Sequence, residues 1–198
     1  MLLAAYDRIT SGELAIAYGV LAGVVVAFVA LAAVFGQNPI RLIEGFDGKP
    51  SASKAQFFAW SAAALGAYSA IYTAHALHGV FDPINAIPGS VLAVLGISVG
   101  TTTSAKALTA FNVATSRVAK PPGSGGLSYL LQDDSQVPDL SKMQMLAWTA
   151  IAISIFLIQV VQQIQLGASA AIPEVGQALV LLMGVGHGAY IGKKLVGG

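Results

Sequence analysis

Long apolar runs, separated by short polar links, dominate the hydrophobic pattern of this chain. A helix that crosses a bilayer needs about 20 mostly apolar residues, and five stretches meet that requirement: 14–35, 55–77, 88–106, 143–163 and 175–193. The first contains no charge, and the second has no Asp, Glu, Lys or Arg, with His75 as its one histidine. The third and fifth are short, which predicts little tilt. Residues 1–11 lack a basic leader, and the apolar run after them exceeds the 7–15 residues or so of a signal-peptide core. The first helix is therefore expected to be retained.

The pattern is written twice. Ser53-Lys54-Ala55-Gln56 and Ala59-Trp60-Ser61-Ala62 return 88 residues later as Ser141-Lys142-Met143-Gln144 and Ala147-Trp148-Thr149-Ala150. Gly96, Gly100, Ser104 and Lys106 return at the same interval as Gly184, Gly188, Gly192 and Lys194. Each copy holds an apolar segment, a turn with Ile-Pro and a second apolar segment ending in Lys. The expected fold is all-α: a polytopic membrane bundle of five transmembrane helices, one helix plus two parallel tandem hairpins. The expected divisions are 1–52 (amphipathic segment, first helix and link), 53–120 (first hairpin), 121–140 (linker) and 141–198 (second hairpin).

Composition agrees with the pattern. The 198 residues are 56% hydrophobic and 10% charged, with a mean hydropathy of +0.74. A soluble domain is about 25% charged, and so few charges could not clothe a water-facing surface. A net charge of +1 argues against a nucleic-acid partner. The absence of cysteine excludes disulfides and thiolate chemistry.

Basic residues set the expected orientation. Arg41, Lys49, Lys54, Lys106, Arg117, Lys120, Lys142, Lys193 and Lys194 fall in the links or at helix ends on one side, and Arg8 on the other. The positive-inside rule places the N-terminus outside and the C-terminus in the cytoplasm. Both copies then run the same way, unlike the inverted repeats of many transporters.

Ser53 with Gln56 and Ser141 with Gln144 match the S-x-x-Q capping box, in which the hydroxyl takes an orphan amide and the glutamine reaches back. Thr10 with Glu13 offers the same at the first helix. Trp60 and Trp148, a couple of turns further in, are expected to anchor near the headgroups.

Gly96, Gly100 and Ser104, like Gly184, Gly188 and Gly192, are spaced by four and share a helix face. Such faces let helices approach closely in lipid. The expectation is that the third and fifth apolar helices form the packed centre; an interface between copies is the alternative. Thr101, Thr102 and Thr103 either bond back to the preceding turn or face water. His187 is an ionisable group at membrane depth and so a functional candidate, or a neutral histidine bonded to a neighbouring helix. Gln159 and Gln163 share a face at the other end of the fourth helix. His75, His78 and His187 lack nearby acidic partners and make a weak metal signal. Asp133, Asp134 and Asp139 lack the spacing of a calcium loop, and a solvated acidic loop is the expectation. No metal or cofactor is assigned.

The run Asp47-Gly48-Lys49-Pro50-Ser51-Ala52-Ser53-Lys54-Ala55-Gln56 with Trp60, the run Asp139-Leu140-Ser141-Lys142-Met143-Gln144, and residues 182–194 resemble a bacterial family of uncharacterised multi-spanning membrane proteins. The resemblance covers about residues 38–198. It implies a bacterial inner-membrane location and carries over no catalytic residue.

No nucleophile–base set and no phosphate loop is visible, so the chain is not expected to be an enzyme. Two functional expectations follow. One is an integral membrane structural or accessory subunit, partnered by the bilayer and by copies of itself or a larger complex. The other is an oligomeric channel or small-solute pore lined by hydroxyls of the third helix and His187.

Overall fold

The computed structural model describes residues 10–36, 40–45, 47–84, 86–115, 126–133 and 136–196. They form six α-helices, α1 (Ser11–Gly36), α2 (Ile40–Ile43), α3 (Ala52–Leu77), α4 (Gly89–Ala114), α5 (Leu140–Ile164) and α6 (Gln177–Leu195), with 3-10 turns η1 (Leu127–Leu130) and η2 (Gly167–Ser169). Among the described residues there is no strand. Among the described residues, three helices are long and apolar enough to cross a membrane: α1 over Ser11–Leu31, α4 and α5. Arg8, Arg117, Lys120, the spacer of 121–125 and Asp134 lie outside the described residues.

Helix α1 starts where its sequence says it should. The Thr10 amide donates to Glu13 Oε2 at 2.7 Å, and the Glu13 amide donates to Thr10 Oγ1 at 3.3 Å, a reciprocal capping box. One face of α1 (Leu14, Ala17, Tyr18, Leu21, Val25) turns inward at helical spacing, while Ile16, Val26, Leu31 and Val34 are exposed. Leu21 and Val25 meet α3 at Gly66, where an added Cβ would lie 3.1 Å from Leu21 Cδ1. Phe28 meets Phe58 with ring centres 4.7 Å apart. Rising α1 numbers thus meet falling α3 numbers, so the two helices are antiparallel.

The centre of the bundle differs from the sequence expectation. Helices α3 and α5, not α4 and α6, carry most of the core. Trp60, Ala63, Ala67, Ala70, Ile71 and Ala74 of α3 pack with Ala152, Phe156, Val160 and Ile164 of α5. Trp60 and Phe156 rings are 5.8 Å apart. The alanines at 63, 67, 70 and 74 share one face, and they supply the small-residue surface that the glycine pattern was expected to supply. Helix α4 runs on past Lys106 to Ala114, where Asn112 Nδ2 donates to the Lys194 carbonyl at 3.0 Å.

Local geometry recurs at the interval of 88 residues well beyond the sequence match. Before α3, a bridge joins Glu44 to Pro50; before α5, one joins Gln132 to Pro138. The Ser51 amide bonds Ile43 O, and the Asp139 amide bonds Leu131 O. Lys54 Nζ donates to Glu44 O, and Lys142 Nζ to Gln132 O. The positive-φ residues pair too: Gly48 (72°) with Gln136 (64°), and Gly79 (75°) with Gly167 (56°). At Gly167 the left-handed backbone favours glycine, and an added Cβ would lie 2.5 Å from His78 Nε2.

Candidate functional site

The helix-start motifs do something other than cap. Helices α3 and α5 begin two residues earlier than the S-x-x-Q reading required, with Ser51 and Asp139 as N-caps. Ser53 is buried, with its hydroxyl 3.1 Å from that of Ser51. Ser141 contributes its amide, which donates to Asp139 Oδ1 at 3.0 Å. Gln56 turns into the bundle and donates to Thr149 Oγ1, whereas Gln144 is exposed. The duplicated glutamines therefore have unlike surroundings, and neither reaches back to the helix start. Trp60 is fully buried rather than at a headgroup surface, because α3 has neighbours on several sides; Trp148 is half-buried.

The glycine faces point away from the protomer. A Cβ added at Gly96, Gly100, Gly184, Gly188 or Gly192 would meet nothing within 4 Å, and Ser104 is exposed. Packing within the fold is thus not their role. The glycine that does admit a close helix on α6 is Gly186, whose added Cβ would sit 3.5 Å from Met145 Cα of α5. It lies one residue from His187, and its neighbours Gly184 and Gly188 masked it in the sequence pattern.

Helices α4 and α6 meet instead through polar groups. Thr101 Oγ1 and His187 Nδ1 are in hydrogen-bond contact, and both residues are buried. The Thr101 hydroxyl donates to Ile97 O at 2.8 Å, which leaves its oxygen to accept from a protonated Nδ1. His187 Nε2 is then an acceptor, buried and without a hydrogen-bond partner among the described residues. Thr102 donates to Ser98 O at 2.8 Å and lies 3.2 Å from Ser53 O of α3. Thr103 donates to Val99 O at 2.7 Å on the exposed side. All three threonine hydroxyls are bonded to the preceding turn, and Thr101 is closed off inside the protomer.

At the other end, Gln163 Oε1 accepts from the Ala171 amide at 3.1 Å. Gln159 Oε1 is buried without a partner among the described residues. His75 Nε2 lies 2.7 Å from Ala170 O, and the Val175 amide donates to Ser90 Oγ at 2.9 Å. These bonds tie the α3–α4 turn to the α5–α6 turn. Asp139 is not a loop carboxylate awaiting a cation: it caps α5 and pairs with Lys193 Nζ at 2.9 Å.

One cavity was not foreseen. It lies between the starts of α3 and α5 and the later turns of α4 and α6, and holds about 90 Å³ of space. Lys49, Lys54, Lys106, Lys142 and Lys194 line it, with Asp47 as its one carboxylate. Two of these lysine pairs, Lys54 with Lys142 and Lys106 with Lys194, obey the 88-residue interval. That interval was the available signal, but only the folded bundle brings the four positions to one place.

Comparison with protein-family models, curated proteins and solved structures finds no match.

Proposed function

We propose that this chain is an integral membrane subunit that packs with copies of itself, or within a larger membrane complex, through the exposed small-residue faces of α4 and α6. The observation that carries this reading is the empty surroundings of Gly96, Gly100, Gly184, Gly188 and Gly192. Hydrophobicity does not drive helices together in lipid; close van der Waals approach does. Five glycines with open faces on two helices offer that approach to a partner from outside the protomer.

In this reading all five long helices, α1 and α3 to α6, span the bilayer, and the two hairpins run parallel. The recurrence of loop bonds and of positive-φ positions at the same interval supports a duplicated unit. The meeting of Lys54, Lys106, Lys142 and Lys194 at one end, and of the two turns at the other, supports the common orientation. The lysine-rich end faces the cytoplasm, the N-terminus lies outside, and the membrane is the bacterial inner membrane. No catalytic residue is assigned.

The pore alternative draws on Thr103 and Ser104, which are exposed beside Gly100 on α4 and would face an axis between copies. Native mass spectrometry of the protein in mild detergent tests the main reading. The wild type should appear as an assembly, and Gly100→Leu with Gly188→Leu should give a folded single chain. A wild type that is a lone chain in membrane extract overturns it. Solute flux in liposomes that falls with Thr103→Val would move the conclusion to the pore.

A further inference from the structure

The lysine-lined cavity has a chemistry that neither packing nor assembly uses. Five of the chain's ten Lys and Arg residues border this one space, so the concentration of charge is local and not a property of the whole surface. Asp47 is the sole carboxylate on the lining, and it accepts from the Lys49 amide at 3.3 Å. Lys54 spends one donor on a loop carbonyl, and an ammonium carries three; Lys142 donates to two loop carbonyls, Gln132 O and Tyr129 O. Lys106 makes no ion pair among the described residues. Lys49 and Lys194 lie over the rings of Tyr129 and Tyr190, at 5.1 and 5.9 Å, and both tyrosines line the same space.

Uncharged donors complete the wall. Ser51, Ser53 and Thr109 line the space, and Ser51 makes no side-chain cap to α3, so the first-turn amides of α3 keep their donors for another acceptor. About 10–15 Å³ of such space suffices for one water, so the cavity takes several waters or a tetrahedral oxyanion. Like-charged ammonium groups at this density repel one another, and a multiply charged anion among them relieves that repulsion while accepting from several at once.

We propose that the cavity is a binding site for a phosphate-bearing anion, held by Lys49, Lys54, Lys106, Lys142 and Lys194. Its position at a helix-end layer makes it reachable both from the headgroup zone, by an anionic lipid, and from water, by free phosphate. The duplication explains how it arose: each copy brings one lysine at the start of its first helix and one late in its second, and the parallel arrangement points both sets at the same space.

The test is thermal melting of the full chain in detergent. Phosphatidylglycerol is compared with phosphatidylcholine, and inorganic phosphate with chloride at matched ionic strength. A rise in melting temperature with phosphatidylglycerol alone identifies a lipid headgroup; a rise with inorganic phosphate as well identifies a site open to free phosphate. Lys49→Gln with Lys106→Gln, whose side chains hold no loop carbonyl, should weaken the response at least about tenfold. Arg41→Gln, outside the cavity, should leave it unchanged. The proposal is overturned if neither anion shifts the wild type, or if the double variant responds as the wild type does.

Discussion

Lys193 Nζ donates to Asp139 Oδ2 at 2.9 Å, which fastens the end of α6 to the start of α5. The same carboxylate accepts the Ser141 and Lys142 amides through Oδ1. Burial works against its charge, but the Lys193 ammonium and the Lys142 amide outweigh burial and hold the carboxyl below its ordinary range. A carboxylate lowered on folding stabilises the fold above its unfolded pKa, near 3.9. That contribution is lost as pH falls through the folded value. Asp139→Asn should therefore melt below the wild type at pH 7, with the gap closing at pH 3. An equal gap at both values would mean that the charge plays no part.

Gln136 adopts φ = 64° where the other loop has Gly48. A left-handed conformation costs a residue with a side chain about 1–2 kcal/mol. Gln136→Gly removes that strain and loses one exposed bond to Tyr129 Oη, at 3.1 Å. The expected net effect is a gain of up to about 1 kcal/mol, read as a higher denaturant midpoint. A lower midpoint would show that the Tyr129 bond outweighs the backbone term.

Much of this fold was legible from apolar length. α1, α4 and α5 stand out because a charge-poor run of that length has few soluble alternatives. The recurrence of residues at an interval of 88 was legible as well, yet only in the helical parts. The loops before α3 and α5 share bonds, bridges and φ values while their residues differ, since Gly48 and Gln136 meet the same backbone demand with unlike side chains. The direction of the glycine faces was not legible. A four-residue spacing of small residues states that a backbone can come close and is silent on whose backbone it is. The alanines of α3 did the internal packing, and alanine at helical spacing reads as ordinary helix propensity. Trp60 and Trp148 look equivalent in sequence; their burial differs because α3 is enclosed by more neighbours than α5.

Gly66 is a point of close approach between α1 and α3, with Leu21 Cδ1 and Val25 Cγ2 at 3.1 and 3.3 Å from an added Cβ. Overpacking of such contacts costs about 1–3 kcal/mol. Gly66→Val should push α1 away and lower the melting temperature, while Gly96→Val, with open surroundings, should leave the melting of a single protomer unchanged. Equal losses in both variants would contradict the placement of α1.

Thr101 holds the one hydrogen bond found for the His187 ring among the described residues. Thr101→Val orphans a buried donor, at about 1–3 kcal/mol, and Thr101→Ser should restore most of the loss. The readout is thermal stability together with the NMR signals of the ring nitrogens. A valine variant as stable as the wild type would remove the α4–α6 polar contact from the account.

The common orientation of the two hairpins is the claim on which the rest depends. The chain has no cysteine, so single-cysteine variants can be labelled without background. With the protein in sealed membrane vesicles of known orientation, Asp82→Cys and Ser169→Cys should react with an impermeant maleimide from one face, and Lys49→Cys and Val137→Cys from the opposite face. Labelling of Asp82→Cys and Ser169→Cys from different faces would contradict the account.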